Sequence, residues 1–183
     1  NQFGTPNGFH NALLCWIPTF MAETCVSGWS PFETDLGAAR CLILWGMNPG
    51  ASTLPGMHGY TDLQMNGMKI IVVDPRYSET ASKADLWLPL RPGSDAALAL
   101  AMLHVILYEG LGNGEFIGQW CSGFEDLMGH MVEYTPEWAA PITWPALSVQ
   151  AITTLLSLIG KCFGSKHIVI LEEQVLFTNS LVP

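Results

Sequence analysis

Cys41-Leu42-Ile43-Leu44-Trp45 is a continuous apolar run, cut off by Gly46, Asn48, Pro49 and Gly50. Apolar residues without polar alternation, bounded by turn formers, predict a strand buried on both faces. A second run, Lys69-Ile70-Ile71-Val72-Val73, ends in Asp74-Pro75-Arg76. Its β-branched content favours strand over helix, and Pro75 takes the chain out of the ladder. A third, shorter piece, Leu86-Trp87-Leu88-Pro89-Leu90, stops at Arg91-Pro92-Gly93-Ser94.

Working outward, Ser94 or Asp95 caps a helix expected to run to about Glu109, with Gly110 as its stop. Leu98, Met102, Val105 and Ile106 share one face, and Leu100, Leu103 and Leu107 make the helix apolar nearly all round, so it should be buried on most sides. Glu115–Trp120 and Phe124–Tyr134 read as short helices, Thr135-Pro136 as the start of another, Ala146–Ile159 as a further helix and His167–Leu171 as a last buried strand. Upstream, Asn1–Thr19 reads as loop, followed by a loosely helical stretch to Gly28. Apolar strands alternating with helices predict an α/β fold with a mostly parallel sheet and flanking helices.

The composition is consistent with such a core but short of polar surface. Of 183 residues 49% are hydrophobic and only 13% charged, against roughly a quarter charged in an ordinary soluble domain. No stretch of about 18 apolar residues is present, so no membrane span is expected. The chain starts at Asn1 without Met or a signal-type segment, which predicts a piece of something longer. With 7 basic and 16 acidic residues the formal charge is −9, which argues against a general nucleic-acid binder. Lys69, Arg76, Lys83 and Arg91 nevertheless fall in one stretch and leave room for a local anion site. The cysteines, Cys15, Cys25, Cys41, Cys121 and Cys162, lack a CxxC pair, so a zinc or iron–sulfur site made by this chain alone is not expected.

In parallel sheets ligands bind beyond the carboxyl ends of the strands. Three loops should meet there: Gly46 to Ser52, Asp74 to Arg76, and Arg91 to Asp95. Gly46 and Gly50 permit close backbone approach, Asn48 and Ser52 offer hydrogen bonds, Arg76 and Arg91 suit phosphate, and Asp74 can accept from ribose hydroxyls. A carboxylate such as Asp95 can accept from both N1–H and the exocyclic amine of guanine, a donor pair adenine lacks. The same residues also read as ordinary turns with a capping Asp and surface Arg. Neither GxGxxG nor a Walker A loop is present.

Three blocks carry a resemblance: Trp45-Gly46-Met47-Asn48-Pro49; Lys69 to Arg76 with Thr80-Ala81 following; and Ala84 to Leu98, containing Leu90-Arg91-Pro92-Gly93-Ser94-Asp95. In order and spacing they resemble the molybdopterin oxidoreductase family, the catalytic subunits of formate dehydrogenases, nitrate reductases, polysulfide reductases and dimethyl sulfoxide reductase. Glu133 to Ala140 is similar to the family's helix start after this domain, and Phe177-Thr178-Asn179-Ser180 to a later cofactor loop.

The resemblance implies a Rossmann-like dinucleotide-binding domain over residues 41–183, preceded by a metal-ligand loop and connecting helical segment over 1–40, both within a larger catalytic subunit. It implies molybdenum or tungsten held by two molybdopterin guanine dinucleotides per complete enzyme, and two-electron redox or oxygen- or sulfur-atom transfer on a small substrate. By position, Trp45, Gly46 and Asn48 match the loop holding one dinucleotide, Asp74 and Arg76 its ribose and phosphate contacts, and Gly93 and Asp95 the guanine end. Ser52 and Arg91 are added from the chemistry of the loops.

Gly4-Thr5-Pro6-Asn7 with Leu14-Cys15-Trp16-Ile17-Pro18 is similar to the segment ending in the family's metal ligand. Cys15 stands at that place, and a thiolate suits such a metal. Thr19 replaces the arginine usual after Cys-x-x-Pro. The other cysteines are expected in the core, His104 as a bonded core histidine, His10 as a loop histidine, and Trp16, Phe20 and Trp29 as packing. Further implied partners are the rest of the catalytic subunit, an iron–sulfur cluster N-terminal to this segment, and an iron–sulfur electron-transfer subunit. A binding module without turnover, and an unrelated nucleotide-binding domain, are the alternatives.

Overall fold

Strand β1 (Cys41–Trp45) is buried at every position, being paired on both edges and covered on both faces. In the computed structural model, which describes residues 4, 16–28, 36–37, 39–143 and 168–172, β2 (Lys69–Val73) lies parallel on one side and β4 (Ile168–Glu172) on the other. Strand β3 (Leu86–Leu88) extends the sheet beyond β2. The order is β3-β2-β1-β4, all parallel. The first two strands match their expected bounds. The third ends at Leu88 rather than Leu90, since Pro89 has no N–H for the ladder, and the last is shifted by one residue.

Alternation along the strands divides the core into two layers. Cys41, Ile43, Trp45, Ile71, Val73 and Leu88 pack on one face with Leu98, Ala101, Met102 and Val105 of helix α4 (Asp95–Tyr108) and Ala139 of helix α7 (Pro136–Thr143). On the other face Leu42, Leu44, Ile70 and Val72 meet Met68, Ala81 and the half-buried Tyr60 and Leu63. These last two belong to helix α3 (Leu54–Met65), which the sequence reading left out. Pro55, Gly56 and Gly59 depress its helix propensity, but the crossover between two parallel strands needs such a segment.

Helix α4 starts and stops as expected. Gly110 is left-handed at φ +66°, and the Leu111 amide reaches back to Ile106, closing the helix in the manner of a glycine C-terminal motif. Helices α5 (Gly114–Trp120) and α6 (Phe124–His130), a 3₁₀ turn at Met131–Glu133, and α7 follow. The Thr135 hydroxyl accepts from Trp138 N–H at the start of α7. His104 Nδ1 lies 2.7 Å from the Met131 carbonyl, the bonded role expected of it.

Two expectations need correcting. Helix α1 (Trp16–Ser27) begins inside the predicted loop; Pro18 is tolerated because the first helical N–H groups have no internal partner. Only Cys41 is buried among the described cysteines, whereas Cys25, on α1, and Cys121, just past the end of α5, are exposed. Cys15, Cys162, His10, Trp29, helix Ala146–Ile159 and Phe177–Ser180 lie outside the described residues. Among the described residues no helix is long and apolar enough to cross a membrane. Short α2 (Pro49–Ser52) completes the elements.

Candidate functional site

The register brings Trp45, Val73 and Leu88 level at the carboxyl edge, so the loops leaving β1, β2 and β3 start side by side. The sheet order also reverses at β1, whose neighbours are β2 and β4, and such a switch point opens a crevice at this edge. The first loop turns at Gly46, whose φ is +63° and whose amide donates to the Val73 carbonyl at 2.7 Å. Side-chain bonds then fasten it. Thr80 Oγ1 donates to Asn48 Oδ1 at 2.6 Å and accepts from the Gly50 amide at 2.9 Å, while Asn48 Nδ2 donates to Glu79 at 3.1 Å. Ser52 Oγ donates to the Asn48 carbonyl at 3.0 Å.

Asn48 and Ser52 are therefore already partnered within the protein and retain only part of their bonding capacity for a ligand. Thr80 and Glu79 were not among the candidate site residues, although Thr80-Ala81 belongs to a recognised block. Glu79's carboxyl is held below its ordinary value by a hydrogen bond from its own backbone, then by the Asn48 amide, with Arg76 adding to this.

In the second loop the Asp74 carboxylate accepts from the Arg76 amide at 2.7 Å, a local turn that tolerates Pro75 between them. Trp87 Nε1 donates to the Asp74 carbonyl at 2.9 Å, and Tyr77 stands edge-on to the Trp87 ring with centroids 4.9 Å apart. Trp87 is another supporting residue that sequence reasoning missed; an aromatic inside a short apolar run looks like core. The Arg76 guanidinium is exposed and 3.9 Å from Glu79.

The third loop is tied to α7. Arg91 N–H donates to the Thr143 carbonyl at 2.8 Å, Ser94 Oγ donates to the Arg91 carbonyl at 2.6 Å, and Gly93 is left-handed at φ +85°. Ser94 occupies the cap position of α4 but makes no side-chain cap bond, its hydroxyl being spent on the loop. Asp95 opens the helix, and Trp45 Nε1 donates to its Oδ1 at 2.7 Å across 50 residues of sequence. Its Oδ2 is buried and has no hydrogen-bond partner among the described residues. Of the expected site residues, Trp45 and Asp95 thus touch, and Gly46, Asn48, Ser52, Asp74, Arg76, Arg91 and Gly93 lie on the adjoining loops of one edge.

Lys69 and Lys83 do not belong to this edge. Lys69 begins β2 at the opposite end and binds Asp85 at 2.6 Å, and Lys83 closes the 3₁₀ turn before β3. The cluster of four basic residues in sequence becomes two arginines at the loops.

A family model described as molybdopterin oxidoreductase matches residues 9–179. The chain belongs to the molybdopterin oxidoreductase family. Family membership excludes an unrelated nucleotide-binding domain and implies a molybdopterin cofactor with molybdenum or tungsten. The chain is 32% identical over 168 residues to the arsenate respiratory reductase molybdopterin-containing subunit ArrA of Chrysiogenes arsenatis, covering 78% of this chain and 20% of that one. It is 37% identical over 139 residues to the thiosulfate reductase molybdopterin-containing subunit PhsA of Salmonella typhimurium, covering 75% and 18%. Among solved structures it is similar to acetylene hydratase from Pelobacter acetylenicus, with a TM-score of 0.75 and 31% identity over 92% of this chain and 23% of that one. This molybdopterin oxidoreductase chain spans about a fifth of the length of the curated relatives it matches.

Proposed function

We propose that this chain holds the guanine end of one molybdopterin guanine dinucleotide in a molybdenum or tungsten oxidoreductase that carries two of them. The observation that carries the reading is the Asp95 carboxylate: one oxygen is fixed by Trp45, and the other is buried and partnerless at the carboxyl edge. A buried carboxylate oxygen without a donor is costly, and the paired N–H groups of guanine are donors of the right kind. The residues present fit the group.

In this reading Asp95 accepts from the base and Gly93 lets its loop approach closely. Asp74 retains an oxygen for ribose hydroxyls, Arg76 and Arg91 meet phosphate, and Gly46, Asn48 and Ser52 offer backbone and side-chain contacts. Cys15, as thiolate, ligates the metal. The bound cofactor would supply two-electron redox chemistry or oxygen- or sulfur-atom transfer on a small substrate, and the protein positions it. An iron–sulfur cluster and an iron–sulfur partner subunit complete the proposed electron path. Residues 1–40 serve as the ligand loop with its connecting segment, and 41–183 as the dinucleotide domain.

Metal analysis and acid hydrolysis of the complete protein test this. The expected result is one molybdenum or tungsten and two pterins, with GMP released on hydrolysis. Asp95→Ala should lower the GMP recovered by at least about tenfold, the scale of a single lost charge-assisted bond. Unchanged GMP in that variant would place the base elsewhere. GMP recovered without metal would instead support a module that retains guanine nucleotide without turnover.

A further inference from the structure

We infer that Trp45 is the positioning residue that makes Asp95 selective for guanine, orienting its carboxylate without touching the base. The inference rests on the guanine reading of Asp95 proposed above. An aspartate's terminal torsion is broad and roughly two-fold, so the side chain's own rotamer does not set the plane of the carboxylate. Something outside the residue must set it. Among the described residues the side-chain hydrogen bond given to Asp95 comes from Trp45 Nε1, at 2.7 Å.

Trp45 is well suited to that task. An indole N–H only donates, so its role carries no ambiguity of tautomer or amide flip. The ring cannot swing: Trp45 ends a strand paired on both edges, is 9% exposed and packs among Ile43, Val73 and Leu98. The backbone before Asp95 is held independently by Ser94 and Arg91 bonding to each other and to Thr143. With backbone and one oxygen fixed, Oδ2 keeps its full accepting capacity and Oδ1 keeps one lone pair. That set matches two neighbouring donors such as guanine N1–H and its exocyclic amine.

A signed consequence follows for Asp95→Asn. An amide at this position must turn its oxygen toward Trp45 Nε1, because NH₂ against N–H sets donor against donor. Its NH₂ then takes the place of Oδ2 and opposes one donor of guanine, while its oxygen serves Trp45 and the other donor. Turning the amide over would only exchange which guanine donor is opposed. Trp45→Phe should therefore harm the wild type and give Asp95→Asn no relief.

The test titrates the full chain with GMP and with IMP, which lacks the exocyclic amine. Wild type should favour GMP by about tenfold or more, as expected of a site built to bond that group. Trp45→Phe should reduce the preference to about threefold or less while the circular dichroism spectrum stays native. Asp95→Asn should lose most GMP binding with or without the indole N–H, since an amide cannot accept from both guanine donors. If the phenylalanine variant does not fold, benzothienylalanine at position 45 keeps the ring shape without the N–H and replaces it in both comparisons. An unchanged GMP/IMP ratio without the indole N–H overturns the role of Trp45 alone. A wild type without preference for GMP overturns the guanine reading itself.

Discussion

Gly50 shows how little slack the first loop has. A Cβ built on it would lie 3.1 Å from Thr80 Oγ1, 3.2 Å from Glu79 Cβ and 3.3 Å from Thr80 N. Thr80 is fully buried and its hydroxyl is bonded on both sides, so it has nowhere to retreat. Gly50→Ala should cost about 1–2 kcal/mol, the scale of overpacking, and lower the thermal midpoint by several degrees; an unchanged midpoint would show that the loop yields. The sequence offered Gly50 for close approach to a ligand, whereas the close approach seen is to the protein's own Thr80 and Glu79. That the partner would be Thr80, thirty residues on, was not legible, because a glycine reveals that space is short but not what fills it. Asp95 differs: its acceptor chemistry was readable from the residue alone, whereas the bond from Trp45 depends on which face of β1 meets α4.

Among the elements, β2 and β3 are pinned at their amino ends by Asp85. Its carboxylate accepts from Ile70 N–H, Lys69 Nζ and Gln64 Nε2. Burial pushes this carboxyl up, but the Ile70 amide, Lys69 and Gln64 outweigh it and hold it below its ordinary value. A carboxyl lowered in this way contributes stability that is present above its unfolded value and lost as pH falls through the folded one. Asp85→Asn should cost about 1 kcal/mol near pH 7, and denaturation curves of variant and wild type should converge below about pH 4, the ordinary carboxyl range. A gap independent of pH would remove the ionised carboxylate from the explanation. Strands β1 and β2 were legible to the residue because unbroken apolar runs have few other uses in a layered fold. Helix α3 was not, since Pro55, Gly56 and Gly59 hide a segment that topology rather than propensity demands.

For the whole molecule the position of charge matters more than its sum. The net charge of −9 coexists with two arginines at the carboxyl edge, while Lys69 sits roughly 15 Å away along β2. Arg76→Gln should weaken GDP binding by about three- to tenfold through loss of a charge-assisted contact, and Lys69→Gln should leave it unchanged. Equal effects from the two variants would mean a diffuse field rather than a phosphate contact. Fold class and the meeting of the three loops at one edge could be read from the sequence, but the splitting of the basic cluster required the strand direction. The central position of β1 has a consequence for biosynthesis. Its partner β4 begins at Ile168, well over a hundred residues further along the chain. On the ribosome one edge of β1 therefore stays bare for roughly 6–25 s at ordinary elongation rates. A bare apolar strand edge is a template for aggregation, so this nascent chain is exposed to that hazard until β4 emerges.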